Sequence, residues 1–361
     1  MQSFNFSAGP AVLPASVLSQ IQRDLQEAQG SQTSILEISH RSATFQKIID
    51  QAQKRLRDLM KIPNDYAVLF IQGGGSLQFE MMPLNFANKT GKVAVLDSGS
   101  FAHKAALAAT AVGKEGVEVA SSRAEKYRFL PSLPSDFDPA DYDYLHITAN
   151  NTIEGTAYHA NNLPQTTGRL VADMSSNILA EPYDITKFDA VFAGAQKNLG
   201  PAGITLAIVK KEWLAEQTLH NVGPMMSYQT YIDKDSLYNT PPVFAIYALN
   251  LVLGWLEEQG GVEVMFKKHQ VMAGKLYDYL DHSDFYHALV KGDQRSWTNV
   301  VFTTGDAKRD AAIAEKADKA GLHNLAGHRS VGGFRASMYN AQADEAVEAL
   351  ITFLEQVRKE Y

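Results

Sequence analysis

Short runs of wholly apolar residues alternate with longer segments of helical periodicity over the first two thirds of the chain. In residues 45–60 the apolar positions recur every three or four residues with charges between them, which is typical of an amphipathic helix. Residues 67–71 (AVLFI) are apolar throughout and end at glycines, as expected of a strand covered by helices on both faces. A second helical segment begins at Ser76, and further strand candidates are 93–96, 117–120, 144–148, 170–174, 190–192 and 204–209. This alternation predicts an α/β large domain with a mainly parallel, mixed sheet flanked by helices.

The pattern changes after about residue 258. Two helical stretches, 262–280 and 306–320, flank a strand candidate at 299–303, and the segment 332–338 (GGFRASM) precedes a last amphipathic helix at 344–357. Paired glycines follow a helix at Gln259-Gly260-Gly261, which favours a domain boundary there. We therefore predict a large domain over 16–258 and a smaller C-terminal α+β domain over 259–361.

Charge and composition exclude several classes of protein. The chain of 361 residues carries 33 Lys and Arg against 40 Asp and Glu, a net charge of -7, which argues against general binding to nucleic acid or to an anionic membrane. The absence of cysteine excludes disulfides, thiolate catalysis, iron–sulfur clusters and zinc–thiolate sites. The histidines have no metal-ligand spacing, so we expect no metal site.

No export or membrane segment is expected. The first 14 residues lack the basic and continuously apolar regions of a signal peptide. The most apolar stretch, 243–256, is shorter than the roughly 20 residues that span a bilayer, and Asn250 interrupts it. We therefore expect a buried helix there and a cytoplasmic protein.

A glycine-rich turn, Gly73-Gly74-Gly75-Ser76, lies between a predicted strand and a predicted helix. Glycines let the backbone approach an anion closely, and the N–H groups at the start of a helix favour a phosphate. The turn matches neither of the common nucleotide-binding patterns, GxxxxGK[ST] and GxGxxG. By itself it is equally compatible with a phosphate site and with a tight turn that binds nothing.

Two charged residues stand near the ends of apolar strands further along the chain. Lys197 lies among small and apolar residues, where loss of water would lower the pKa of its amine and make it nucleophilic. Asp173 ends an apolar strand and needs a cationic or hydrogen-bonding partner. Read singly, a surface lysine and a helix cap are the simpler explanations. The order of glycine turn, Asp and Lys, each at a strand end, is what a pyridoxal phosphate site requires.

The chain resembles the phosphoserine aminotransferase family, within the fold-type I class of pyridoxal-phosphate enzymes. The resemblance runs from end to end and rests on eight motifs in order. These are NFSAGP at 5–10, SHRS at 39–42, QGGGSLQF at 72–79, NTIEGT at 151–156, DMSS at 173–176, GAQKN at 194–198, YNTPP at 238–242 and GHRSVGGFRAS at 327–337. It implies the fold-type I architecture, with an N-terminal segment, 1–15, that packs on the small domain.

The resemblance implies a role for four residues around the cofactor ring. Lys197 would bind pyridoxal 5'-phosphate as a Schiff base and later carry a proton, and Asp173 would pair with the ring nitrogen. Thr152 would lie near the ring oxygen. Phe101 falls where many members of the family carry a ring-stacking Trp, and a Phe can stack there without the indole N–H.

The resemblance also implies the residues that bind the cofactor phosphate. Gly75, Ser76 and Gln196 would bind it from the same chain. Asn239 and Thr240 would reach it from the neighbouring subunit, which implies a homodimer with composite active sites.

The implied reaction is a reversible transfer of the amino group between L-glutamate and 3-phosphohydroxypyruvate, giving O-phospho-L-serine and 2-oxoglutarate in serine biosynthesis. Arg335 would bind the α-carboxylate. His40 and Arg41, with His328 and Arg329 from the partner subunit, would bind the distal phosphate or γ-carboxylate, a task that suits the fork of arginine. Some bacterial members also act on 4-phosphohydroxythreonine in pyridoxine biosynthesis, an alternative that the residues leave open.

Three other functions remain to be weighed. A related aminotransferase of the alanine–glyoxylate type is disfavoured because a small uncharged side chain does not need so many cations in the site. A cysteine desulfurase is disfavoured because the chain has no cysteine. A module that only binds a phosphorylated ligand is disfavoured because it would not need a desolvated Lys197 opposite a carboxylate.

Overall fold

A computed structural model describes residues 3–28, 31–219 and 221–361. The strands are β1 (Phe4–Asn5), β2 (Tyr66–Gln72), β3 (Lys92–Asp97), β4 (Glu115–Ser121), β5 (Tyr144–Thr148), β6 (Leu170–Asp173), β7 (Ala190–Gly194), β8 (Ile204–Lys210), β9 (His287–Ala288), β10 (Asn299–Thr303), β11 (Leu322–His323) and β12 (Phe334–Ser337). The α-helices are α1 (Ala15–Asp24), α2 (Ala43–Met60), α3 (Gly75–Phe86), α4 (Ser100–Ala111), α5 (Lys211–Ala215), α6 (Tyr228–Asp233), α7 (Val243–Glu258), α8 (Val262–Asp281), α9 (Ala307–Lys319) and α10 (Glu345–Arg358).

A seven-stranded sheet forms the centre of the molecule. Its strands lie in the order β2-β8-β7-β6-β5-β3-β4, and β8 pairs antiparallel with both of its neighbours while the other pairs are parallel. The prediction of an α/β fold with a mainly parallel, mixed sheet is therefore confirmed. Because the parallel strands run in one direction, the loops after β2, β3, β5, β6 and β7 emerge at the same edge of the sheet.

The apolar runs are explained by helices on both faces of this sheet. Along β2, Val68 and Phe70 contribute to one core, whereas Leu69 and Ile71 contribute to the other. Helices α1, α2 and α7 cover the first face, and α3, α4, α5 and α6 cover the second. When both faces of a strand are buried, none of its side chains reaches water, so every position favours an apolar residue.

The C-terminal part of the chain forms a third core around the antiparallel sheet β12-β10-β9 and helices α8, α9 and α10. The N-terminal strand β1 joins this part by parallel pairing with β11, and both Phe4 and Phe6 enter its core. Residues 1 and 2 of the segment predicted to pack there lie outside the described residues. The domain limits 1–15, 16–258 and 259–361 stay a prediction, since α8 begins in the first core and ends in the third.

The predicted buried helix at 243–256 is α7. It has ten buried residues and packs against α2. Across the described parts of the chain, we find no helix with the length and apolar character needed to cross a bilayer.

Buried polar groups connect the edge of the large sheet to the small domain. Asn150 donates to Oδ1 of Asn299 at 2.7 Å, and the Thr298 hydroxyl donates to the carbonyl of Ser176 at 2.8 Å. Such bonds in a dry interior hold a specific geometry, because breaking either one leaves a buried polar group unpaired. The two parts of the chain are therefore held together directly beside the loops that leave the sheet.

The close approach of α4 to β4 generates the first prediction. A Cβ at Gly116 would lie 2.8 Å from the carbonyl carbon of Ala106 and closer still to its oxygen. We expect Gly116→Ala to lower the free energy of unfolding by about 1–3 kcal/mol, because backbone cannot move aside as a flexible side chain can. Denaturation in urea measures it.

The matched control is Gly274→Ala, in the interior of α8, where a Cβ would meet nothing within 4 Å. Alanine favours helix by about 0.5–1 kcal/mol over glycine, so this variant should be slightly more stable. Equal effects of the two substitutions would contradict the close approach.

Candidate active site

The loops that leave the carboxyl edge of the parallel strands enclose a cavity. Ligands in open α/β sheets bind at this edge. The cavity is lined by Gly75, Ser76, Phe79, Phe101, Thr148, Asn150, Thr152, Asp173, Ser175, Ser176, Gln196 and Lys197. The structure thus brings together the predicted residues Gly75, Ser76, Phe101, Thr152, Asp173, Gln196 and Lys197.

The glycine turn places the start of α3 at the cavity. Gly73 has a φ of +105°, a conformation that L side chains rarely adopt, and its N–H donates to the carbonyl of Gly203 at 3.2 Å. A Cβ at Gly75 would lie 3.2 Å from the Ser175 hydroxyl oxygen, so a side chain there would crowd the wall. Among the contacts of the described chain, no side chain caps this helix, and its first N–H groups can therefore bind an anion.

The amine of Lys197 lies inside the cavity, just after β7. It donates to the Thr152 hydroxyl at 2.8 Å and lies 5.4 Å from the centroid of the Phe101 ring. Burial lowers the pKa of Lys197 to about 8; Asp173 opposes this shift, and the charge of Arg335 adds to it. Its unprotonated fraction near neutral pH is therefore far larger than that of an ordinary lysine.

Asp173 is the last residue of β6 and is only 5% exposed. Its Oδ1 accepts a hydrogen bond from the Ser175 N–H at 2.9 Å. Burial raises the pKa of Asp173, while Lys197 and the bond from Ser175 oppose the shift. A carboxyl group in this setting is stabilised in its charged form by a cationic partner, and the cavity is where such a partner can enter.

An unsatisfied hydroxyl supports a polar ligand in the cavity. Thr148 pairs with Asp173 across β5 and β6, and its Oγ1 is buried without a hydrogen-bond partner in the described structure. The Thr148 hydroxyl, the amine of Lys197, the carboxyl of Asp173 and the free N–H groups at Gly75 together offer a partner for each polar part of pyridoxal phosphate. The residues present fit that cofactor.

The N-terminal segment contributes a wall that the sequence reasoning missed. The Ala11 N–H donates to the carbonyl of Gln196 at 2.9 Å. A Cβ at Gly9, which has a φ of +129°, would lie 3.3 Å from Cγ of both Gln196 and Lys197. Gly9 belongs to the NFSAGP motif, which was noted only for its family resemblance, because neither periodicity nor charge connects it to position 197.

Cationic side chains from the small domain line the other side of the site. Nη1 of Arg335, on β12, lies 3.5 Å from the carbonyl oxygen of Thr152, and its buried Nε has no partner in the described part of the chain. Burial lowers the pKa of Arg335. Burial and then the charges of Arg335, Arg329 and Lys104 lower the pKa of His328. The expectation that His328 and Arg329 serve the partner's site stays a prediction.

Besides His328, Arg329 and Arg335, four predicted residues do not line the cavity. His40 and Arg41 occupy the turn before α2, and the Arg41 N–H donates to the Ser39 hydroxyl at 3.2 Å. Asn239 donates to Oε1 of Gln72 at 3.1 Å, and Thr240 is exposed. Within the described ranges, none of His40, Arg41, Asn239 and Thr240 lines the cavity.

A separate cluster beside α4 brings together the potential metal ligands Asp97, His103 and Glu118. Nη2 of Arg123 lies 2.7 Å from Asp97, 2.5 Å from Glu118 and 2.7 Å from the His103 ring. The guanidinium therefore supplies the positive charge in this cluster.

Comparison with known proteins gives one consistent result. The class-V aminotransferase family matches residues 3–350. The chain is 62% identical to the phosphoserine aminotransferase of Leuconostoc mesenteroides, over 100% of both chains. Its structure is similar to that of phosphoserine aminotransferase from Bacillus circulans subsp. alkalophilus, with a TM-score of 0.93 and 41% identity over 99% of both chains. A phosphoserine aminotransferase studied for radiation damage of its Schiff base gives a TM-score of 0.94 and 42% identity, over 100% of this chain and 99% of that one.

The lowered pKa of Lys197 generates the second prediction. We expect the cofactor-free protein to couple covalently to added pyridoxal phosphate at a rate that rises with pH and levels off above pH 8. Only the unprotonated amine reacts, and with a pKa of about 8 roughly a tenth of it is unprotonated at pH 7. Borohydride trapping followed by quantification of the Lys197 peptide measures the rate.

The control is the same reaction with Nα-acetyl-lysine, whose amine has an ordinary pKa and whose rate should keep rising toward pH 10. A protein profile that follows this control would contradict a desolvated Lys197.

Proposed function

Because the chain belongs to the class-V aminotransferases and, within them, to the phosphoserine aminotransferases, we propose that its cavity exchanges an amino group between L-glutamate and 3-phosphohydroxypyruvate. The products are O-phospho-L-serine and 2-oxoglutarate, and the reaction is a step of serine biosynthesis in the cytoplasm. The enzyme depends on pyridoxal phosphate, which when bound supplies an electron sink for the pair left on the substrate Cα.

The observation that carries the proposal is that Lys197 and Asp173 line the same buried cavity. An amine with a pKa of about 8 and a carboxyl group that is 5% exposed face one cavity from the ends of adjacent strands. Keeping opposite charges out of water is costly unless each of them binds something there. A cofactor with an aldehyde and a ring nitrogen gives both groups a partner.

The residues around the cavity would hold the cofactor as follows. Lys197 would bind it covalently, and Asp173 would accept a hydrogen bond from its ring nitrogen. Thr152 would contact the ring oxygen, and Phe101 would cover one face of the ring. The start of α3 at Gly75 and Ser76, with Gln196, would bind the phosphate.

Lys197 would also move the proton in the reaction. With the cofactor and the substrate bound, the amine of Lys197 would take the proton from the substrate Cα. A base whose pKa lies near the working pH is both unprotonated and strong enough for this task. The hydrogen bond from Nζ to the Thr152 hydroxyl keeps the amine within the cavity.

The cations of the small domain fit the charges that the two substrates share. Both carry an α-carboxylate, for which we assign Arg335, and both carry a second anion further along the chain. For that distal anion we assign His40 and Arg41, with His328 and Arg329 from the partner subunit, because cationic side chains of this kind bind a phosphate or a γ-carboxylate. An alanine–glyoxylate type of aminotransferase would have no use for the distal pair.

A homodimer would complete the site. His40, Arg41, Asn239 and Thr240 do not line the cavity of their own chain. Asn239 and Thr240, with His328 and Arg329, would contribute to the site of a partner. Tyr238 is 46% exposed and directly precedes Asn239 in the sequence, and Leu36 is 65% exposed and lies four residues before His40. Exposed apolar side chains beside unused polar ones support a second copy of the chain as the partner.

The third prediction tests the reaction and its distal anion. We expect kcat/KM with glutamate to be about 100-fold higher for 3-phosphohydroxypyruvate than for hydroxypyruvate, because the phosphate binds a cationic pocket. Arg329→Ala should lower kcat/KM for the phosphorylated substrate about 10-fold or more. Its kcat/KM for hydroxypyruvate should stay within about 3-fold of that of the unmodified protein. A coupled assay for 2-oxoglutarate measures both.

Arg309→Ala, on α9, is the matched control and should change neither substrate. Absence of turnover in the unmodified protein would refute the proposed reaction, and equal losses on both substrates would remove Arg329 from the distal pocket.

The fourth prediction tests the composite site. Lys197→Ala and the double variant Asn239→Ala/Thr240→Ala should each be nearly inactive as homodimers at low cofactor concentration. In a dimer that contains one chain of each kind, one site lacks both Lys197 and the Asn239–Thr240 pair. The other site has Lys197 from one chain and Asn239 and Thr240 from its partner, and is intact. Random mixing after dissociation should therefore restore about a quarter of the normal activity.

Each variant dissociated and reassociated alone is the control for this mixing experiment. If the mixture stays as inactive as its components, Asn239 and Thr240 serve the site of their own chain.

A further inference from the structure

We infer that Glu154 is a positioning residue that caps α4 from outside the helix and thereby holds Phe101 over the site of Lys197. The inference rests on the proposed function, since it concerns the cofactor site, and it adds a residue that the reasoning from sequence did not assign. Glu154 is only 2% exposed, although it carries a carboxyl group.

Helix α4 cannot be capped in the ordinary way. The residue before its first turn is Gly99, and an N-cap is normally Ser, Thr, Asp or Asn, whose side chain accepts from a free N–H group. A Cβ at Gly99 would lie 2.8 Å from Oε2 of Glu154 and closer still to Oδ1 of Asn151. The space that a capping side chain would need is therefore taken by the loop that follows β5.

Glu154 supplies the missing acceptor from that loop. Its Oε1 accepts from the Ser100 N–H at 2.9 Å and from the Ser100 hydroxyl at 2.6 Å. A carboxylate is a strong acceptor, and negative charge is favourable at the start of a helix because the free N–H groups there carry partial positive charge. Two bonds to one residue fix both the backbone and the side chain of Ser100.

The residue that follows is the one that covers the site. Phe101 comes directly after Ser100, and its ring centroid lies 5.4 Å from Nζ of Lys197. The same loop also carries Thr152, whose hydroxyl accepts from that Nζ at 2.8 Å. Glu154 thus ties the helix that presents the ring to the loop that holds the lysine.

The second carboxyl oxygen shows that stability alone is a poor explanation for Glu154. Its Oε2 is buried and lacks a hydrogen-bond partner among the described residues, which is a cost to the folded state. Burial raises the pKa of Glu154, and the bonds from Ser100 oppose the shift. The role of this buried carboxyl group is therefore to hold Ser100, and with it the start of α4, through its other oxygen.

The experiment compares Glu154→Ala with Glu154→Gln in the dimeric protein loaded with pyridoxal phosphate. The amide oxygen of Gln can still accept from Ser100, whereas Ala leaves both donors free. We expect Glu154→Ala to weaken the binding of pyridoxal phosphate about 10-fold and to reduce its visible circular dichroism, because the ring loses a fixed neighbour. For Glu154→Gln, both the affinity for pyridoxal phosphate and the visible circular dichroism should stay within about 3-fold of those of the unmodified protein.

Two further variants keep the test decisive. Ser100→Ala removes one donor without opening a large cavity and should weaken cofactor binding about 3-fold, even if Glu154→Ala folds poorly. Glu125→Ala, which removes an exposed carboxylate, is the matched control and should change nothing.

The inference is overturned if Glu154→Ala lowers only the melting temperature and leaves cofactor affinity and circular dichroism intact. It is also overturned if Glu154→Gln is as harmful as Glu154→Ala, because charge rather than capping would then matter. Both readouts are independent of the substrate, so loss of the proposed transamination activity in the unmodified protein would leave this result standing.

Discussion

The structure depends on the removal of one amine from water opposite one carboxyl group. Asp173 and Lys197 follow neighbouring parallel strands, so the direction of the sheet brings them to one edge. Burial lowers the pKa of Lys197 and raises that of Asp173, and each charge opposes the shift of the other. Neither group is fully satisfied by its protein neighbours, and this incomplete pairing is what makes the edge a site for a ligand with complementary chemistry.

Three separate parts of the chain enclose that pair. The glycine turn before α3 presents free N–H groups on one side, and the N-terminal segment packs Gly9 against Lys197 on another. The small domain brings Arg335 within reach of the Thr152 carbonyl. Buried hydrogen bonds between side-chain amides, such as that from Asn150 to Asn299, hold the C-terminal part of the chain against the large sheet beside the cavity. The position of Arg335 relative to the amine of Lys197 is therefore fixed.

The charge of the molecule is distributed unevenly. The whole chain carries a net charge of -7, yet the positive charges of Arg335, Arg329 and Lys104 all act on His328. Burial and then the repulsion by these cations lower the pKa of His328, and burial lowers the pKa of Arg335. A bound dianion would reverse this repulsion, so the site is built to gain most from a substrate with two negative groups.

The sequence by itself determined the layers of the fold and the centre of the site. Wholly apolar runs indicate strands with two buried faces whatever their neighbours are, and Gly75, Asp173 and Lys197 could be found because each stands at the end of such a run. Only the tertiary structure decided the reversed direction of β8, since an apolar strand reads the same in either orientation. It alone also brought Gly9 to Lys197 and Glu154 to Ser100. These contacts join residues from separate elements, and their partners are chosen by packing in three dimensions, which leaves no periodic trace along the chain.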